Sequence, residues 1–98
     1  MSHTKFGIEK KPYDFLEDLP LRHKALRKQI GYSQSELATR SGVSLGSIKR
    51  FELTGHISLE SLLKLAHVLN RINDFEYIFK PLDNLQEIEK LFSDKTRS

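Results

Sequence analysis

Seven of the chain's cations fall between residues 21 and 50: Arg22, Lys24, Arg27, Lys28, Arg40, Lys49 and Arg50. Only one acid, Glu36, stands among them, so the block carries a net +6. Its flanks are acidic, with net −1 over residues 1–20 and net −2 over residues 51–98. The whole-chain charge of +3 hides this division. A concentrated basic block attracts an anionic partner, nucleic acid before a membrane surface. The plainer alternative is a solvated basic helix face, and charge alone does not separate the two.

Other chemistries find little support. The chain has no cysteine, which removes disulfide frameworks, thiolate zinc sites and cysteine nucleophiles. His3, His23, His56 and His67 lack HExxH spacing, so neither a metal nor any other cofactor is expected. There is no nucleophile elbow and no phosphate-binding loop, and hence no enzymatic expectation. No apolar run approaches the roughly 20 residues of a membrane span. Residues 1–12 have no apolar segment of the kind a secretory signal needs, and a cytoplasmic location is the expectation.

The 98 residues have room for one small domain with a thin core. Residues 1–12 read as a flexible arm. Tyr13, Phe15, Leu16 and Leu19 form a short stub between Pro12 and Pro20. Pro20 then suits the first turn of a helix, where its missing N–H costs nothing. Leu21, Ala25, Leu26 and Ile30 would be that helix's inward face, and Gly31 its C-cap. Ser33 and Glu36 fit a capping box opening a short helix with Leu37 and Ala38 inside. Ser44 caps another, with Ile48 and Phe51 on one face, closed by Thr54-Gly55. Ser58 opens a third, whose Leu59, Leu62, Leu63, Leu65, Ala66 and Leu69 make an apolar stripe of period near 3.6. It spans under two heptads, so core is the reading and not a coiled-coil seam. Short helices over residues 73–79 and 84–92 and a polar tail from Ser93 complete an all-α chain.

Residues 33–52 have the layout of two short helices about a tight turn, in which the second can lie in a DNA major groove. Ala38 is small where the helices cross, and Gly42 supplies the positive φ of the turn. Leu37, Val43 and Ile48 fill the seam. Around this frame stand Leu26-Arg27-Lys28, Ser33-Gln34-x-Glu36-Leu37-Ala38, Gly42-Val43-Ser44, Ile48-Lys49-Arg50-Phe51-Glu52 and Ser58-Leu59-x-x-Leu62-x-x-Leu65-Ala66. Over about half its length the chain thereby resembles the Cro/C1-type, or XRE, helix-turn-helix family.

The resemblance implies a compact, five- to six-helix lambda repressor-like domain over residues 13–72, with a helical extension over 73–92. It implies a DNA-binding transcriptional regulator, acting as a homodimeric repressor on a palindromic operator of double-stranded DNA. Gln34 matches the residue that bonds a phosphate and buttresses the recognition helix. Ser44, Leu45, Gly46, Ser47, Lys49 and Arg50 match its DNA-facing side. Arg50 suits a bidentate bond to guanine, and the serines suit phosphate oxygens at a helix start. Helix capping is an equal reading for Ser44. Arg27 and Glu52 match an ion pair that ties the first helix to the end of the recognition helix.

Two departures stand out. Leu45 and Gly46 replace the polar, base-reading side chains frequent at those positions. A glycine within a helix costs about 1 kcal/mol against alanine, which points to a close backbone approach, either of DNA or of a facing helix. The C-terminal apolar residues Phe75, Tyr77, Ile78, Phe79, Leu85, Ile88, Leu91 and Phe92 exceed what two short helices need, and serve a dimer interface or a different protein. The stretch from Ser44 to Ala66, with Asp74-Phe75 and Phe79, is also similar to the HipB-like antitoxins. That likeness implies a HipA-type kinase toxin as partner. An interaction module that neutralises a partner, with DNA binding secondary, is therefore the alternative function.

Overall fold

The structure, a computed structural model, describes residues 9–97, with side chains for 9–93. Most of the segment read as an arm, His3 included, lies outside the described residues, as does Ser98. The described chain is all helix: α1 Pro12–Ile30, α2 Gln34–Ser41, α3 Leu45–Thr54, α4 Leu59–Val68, a 3-10 turn Ile72–Tyr77 and α5 Leu85–Arg97.

The first helix departs from the sequence expectation twice. It does not break at Pro20 but runs for 19 residues, with Pro20 buried inside it. Proline has no N–H, so the carbonyl four residues back, that of Leu16, loses its helical donor. Gly55 covers that carbonyl. A Cβ at Gly55 would overlap the Leu16 oxygen and stand 3.1 Å from its carbon, and Gly55 itself holds φ +84°. Only glycine meets both demands, and the α3 C-cap thereby docks on α1 where proline opened it. At the N-terminus of α1, the Lys11 N–H donates to the Asp14 carboxylate at 2.8 Å.

The second departure is rotational. Leu21, Ala25 and Ile30 face solvent, and only Leu26 of that set is half-buried. The inward face is Pro20, His23 and Arg27. Polar residues win it because their partner, Glu52, arrives from α3.

The core gathers Leu37, Val43, Ile48, Phe51, Leu65 and Leu69 from α2, the turn, α3 and α4. Leu26, Tyr32, Ala38, Ile57, Leu62 and Val68 close around it. Each large apolar side chain so removed from water contributes about 1.5–3 kcal/mol. Serines set the helix starts: Ser33, Ser44 and Ser58 accept from the N–H groups of Glu36, Ser47 and Ser61. The capping box at Ser33 is half-formed, because the Glu36 carboxylate turns instead to Arg40 at 3.0 Å.

Beyond α4 the chain loosens. The segment expected to be a helix over 73–79 is a 3-10 turn, and Phe79 after it takes a left-handed φ of 57° with its ring 98% exposed. The Asn84 side chain accepts from the Glu87 N–H at 2.8 Å and starts α5, whose backbone continues five residues past Phe92. No other element packs substantially on α5.

Candidate nucleic-acid interface

The pair α2 and α3 is held at a fixed angle by the turn between them. Gly42 caps α2 at φ 77°, its N–H donating to the Ala38 carbonyl at 3.0 Å. The Val43 N–H donates to Ser41 Oγ at 3.1 Å, and Val43 itself is buried. Ile48 and Phe51 anchor α3 in the core, which fixes which face of α3 remains outside.

That outer face follows helical spacing. Gly46, Lys49, Arg50 and Leu53 are all exposed and stand at i, i+3, i+4 and i+7. Leu45 lies half-buried at one edge of this stripe and Ser47 half-buried at the other. Lys49 and Arg50 have no ion-pair partner among the described residues. Beyond its chain neighbours and its own helix backbone, nothing among the described residues lies within 4 Å of where a Gly46 Cβ would be. No facing helix among the described residues therefore accounts for that glycine.

The start of α3 is polar and partly spent. Ser44 Oγ accepts from the Ser47 N–H at 3.1 Å and donates to Ser47 Oγ at 2.9 Å. The Ser44 hydroxyl thus works as a cap. The N–H groups of Leu45 and Gly46, the first of the helix, have no acceptor among the described residues. Such free N–H groups at a positive helix end suit an anionic oxygen.

Behind the stripe lies a buried polar cluster around Glu52. Arg27 grips its carboxylate with two bonds, Nε to Oε2 at 2.9 Å and Nη2 to Oε1 at 2.8 Å. Arg27 also donates through Nη1 to the Tyr32 carbonyl at 2.9 Å. The Gln34 amide donates to Glu52 Oε1 at 3.0 Å, and His23 Nδ1 lies 2.6 Å from Oε2. The cluster joins α1 and the start of α2 to the last turns of α3. Fork-on-carboxylate geometry of this kind fixes orientation as well as strength.

The charges respond to one another. Burial alone would raise the Glu52 carboxyl, but the bonds from Arg27 and Gln34 and the Arg27 charge outweigh it and hold it below its usual range. The bond to Glu52 raises Arg27, against burial. Burial lowers His23, and the Glu52 charge and hydrogen bond only partly oppose it, while the Arg27 charge adds to the fall. A neutral ring must donate from Nδ1, since a carboxylate only accepts. Its Nε2 is buried without a protein partner, so a proton there would have nothing to bond. The ring also meets Phe51 edge-on, centroids 5.1 Å apart.

The structure therefore divides the sequence's candidates. Lys49, Arg50, Gly46, Leu45, Ser44 and Ser47 line one helix and its start, whereas Gln34 turns to the buried cluster. Within the basic block Arg27 is internal, and Arg40 pairs with Glu36 and stacks 4.6 Å from the Tyr32 ring. Arg22 lines a cleft between α1 and α4. Two residues escape a reading of the sequence. His23 stands four before Arg27 on the same helix face, a spacing that could have paired them. Leu53 is 85% exposed on the outer stripe, and its signal is being two residues out of step with Phe51. Among the described residues no three His, Cys, Asp or Glu side chains cluster to hold a metal ion. No described helix is long and apolar enough to cross a membrane.

Comparison with protein families agrees with this layout: the model of the helix-turn-helix family matches residues 24–73, just over half of the chain. No curated protein and no solved structure matches it.

Proposed function

From the premise that the chain belongs to the Cro/C1-type helix-turn-helix family, whose members are DNA-binding regulatory domains and not typically enzymes, we propose how it reads its site. It is a sequence-specific transcriptional regulator that lays α3 in the major groove. Arg50 reads a guanine edge, and Lys49 takes either a base or a phosphate. Leu53 and Leu45 offer apolar contact to thymine methyls. The N–H groups of Leu45 and Gly46, with the Ser47 hydroxyl, take a phosphate oxygen. Gln34 keeps α3 in place through Glu52 and has its remaining amide hydrogen for a phosphate oxygen of the DNA.

The observation that carries this reading is the outer stripe of α3, whose two cations have no ion-pair partner among the described residues, while the opposite face is engaged. The protein works as a cytoplasmic homodimer repressing its own palindromic operator, two recognition helices meeting successive major grooves about 34 Å apart. Selection of bound duplexes from a random pool at two salt concentrations tests it. A palindromic consensus should emerge, with affinity falling steeply as salt rises. A pool that stays random at both concentrations would remove sequence-specific recognition.

The exposed apolar residues of the C-terminal third support a second reading, in which a HipA-type kinase is bound and neutralised there. Tyr77, Phe79, Leu85 and Phe92 are all largely exposed. Deleting residues after Phe75 should then abolish capture of the kinase and leave binding of a single half-site intact.

A further inference from the structure

The chain carries two apolar surfaces that it does not use on each other. One is a cleft of about 670 Å³ between α1 and α4. Leu19 and Leu26 of α1, Phe51 of α3, Leu59 and Leu62 of α4, and Ile78 line it. The second is the apolar side of α5. Leu85, Ile88, Leu91 and Phe92 recur at i, i+3, i+6 and i+7, one narrow stripe of a helix on which no other described element packs substantially. Leu85, Leu91 and Phe92 are exposed.

We infer that α5 of a second copy occupies this cleft, and that the two copies exchange the contact reciprocally. The inference rests on the dimeric reading above and names its surface. Three features choose a second copy over the chain's own helix or an unrelated protein. First, the link from the 3-10 turn to α5 starts at Ile78, a residue that lines the cleft. It then passes through the left-handed Phe79 and through Lys80, which Pro81 holds extended. Along that route the chain's own α5 does not pack substantially on α1 or α4, the elements that line the cleft.

Second, charge matches. A helical period places Glu87 beside Leu91 and Glu89 beside Leu85, so acids border the apolar stripe on both edges. The cleft presents Arg22, exposed and without an ion-pair partner among the described residues, while its other exposed charges, Arg71 and Asp74, pair with each other. Third, a two-fold exchange covers both unused surfaces on both copies at once, which a self-complementary interface requires. Phe51 points inward from α3, so a helix above it leaves the Gly46–Leu53 stripe uncovered.

The absence of native cysteine makes a cross-linking test clean. Leu59→Cys is placed in one chain and Leu91→Cys in a second chain carrying a size tag, both at exposed positions. After mixing, subunit exchange and mild oxidation, a covalent species of mixed size should appear, and neither variant alone should give it. Light scattering on the parent protein supplies the mass. A dimer by mass that yields no mixed cross-link overturns the cleft contact and leaves the dimeric reading standing. A chain carrying both substitutions that closes into a covalent monomer overturns the second copy in favour of its own α5. A monomer at every concentration overturns both readings together.

Discussion

The two faces of α3 are built on opposite rules. Toward the protein, Ile48 and Phe51 are buried and the Glu52 carboxylate accepts from Arg27, Gln34 and His23. Toward solvent, Gly46, Lys49, Arg50 and Leu53 meet nothing that holds them. One face is saturated, the other open. A helix so divided can change what it reads without changing how it is held, provided substitutions stay on the outer stripe. Stability should therefore answer to the inner face and affinity to the outer one.

Glu52→Ala should give the largest effect, on the inner face. Arg27 and Glu52 side chains are only 6% and 4% exposed. Removing the carboxylate strands a buried guanidinium, a change that costs about 3–5 kcal/mol. Denaturant unfolding would measure it as a lower midpoint with an unchanged slope. A loss under a kilocalorie, on the scale of an exposed pair, would mean that the cluster is wetter than its burial implies.

On the outer face, Arg50→Ala should leave that midpoint within about 0.5 kcal/mol, as surface substitutions do. Its effect belongs to binding: about 1–3 kcal/mol in affinity and a relaxed preference at one base position. Titration of the selected duplex against the parent and variant proteins at several salt concentrations reads both. Equal affinity throughout would take Arg50 out of the reading face. Equal loss on all sequences would make it a phosphate contact instead.

Acid perturbs the inner face with every side chain in place. His23 is held below its ordinary value near 6.5, so the unfolded chain takes up a proton that the folded one refuses. Stability is thus full above about pH 6.5 and declines as pH falls below it, until the folded ring also protonates. Glu52, held below its ordinary 4.5, adds a second decline as pH drops below that value. Unfolding free energies across pH 7 to 4 should show the first decline in the parent and not in His23→Gln. DNA affinity measured above pH 6.5 should not distinguish the two proteins by charge, because the ring is neutral there.

The same division explains what is legible in the sequence. Caps and small residues act locally, so Ser33, Gly42, Ser44, Gly55 and Ser58 mark helix boundaries by their own chemistry. The stripe of α4 is readable because its period is its own. The rotation of α1 is not, because Leu21, Ala25 and Ile30 mimic an inward face at helical spacing. The true inward residues, His23 and Arg27, are buried by a carboxylate 29 and 25 positions away. Pro20 misleads for a similar reason. The Leu16 carbonyl that it leaves without a helical donor lies against Gly55, which comes from far along the chain. The candidate residues are recognisable by resemblance, and their two classes, held and open, come only from packing.

Gly46→Ala is the smallest change and the sharpest probe of the division, since it should move stability and affinity in opposite directions. Space around Gly46 is open and its backbone is helical, so a methyl group there meets none of the described residues outside its own helix backbone and chain neighbours. Alanine then favours the helix by about 1 kcal/mol through propensity alone. A protein that keeps glycine at such a position forgoes that stability, which makes sense where another surface must come close. If the DNA backbone or a base edge lies against the Gly46 N–H, the added methyl group stands in its way. Thermal unfolding should therefore rise while affinity for the selected duplex falls. A stabilised variant that binds as tightly as the parent would show that the outer face has room to spare at its centre, and recognition would then rest on Lys49 and Arg50 alone.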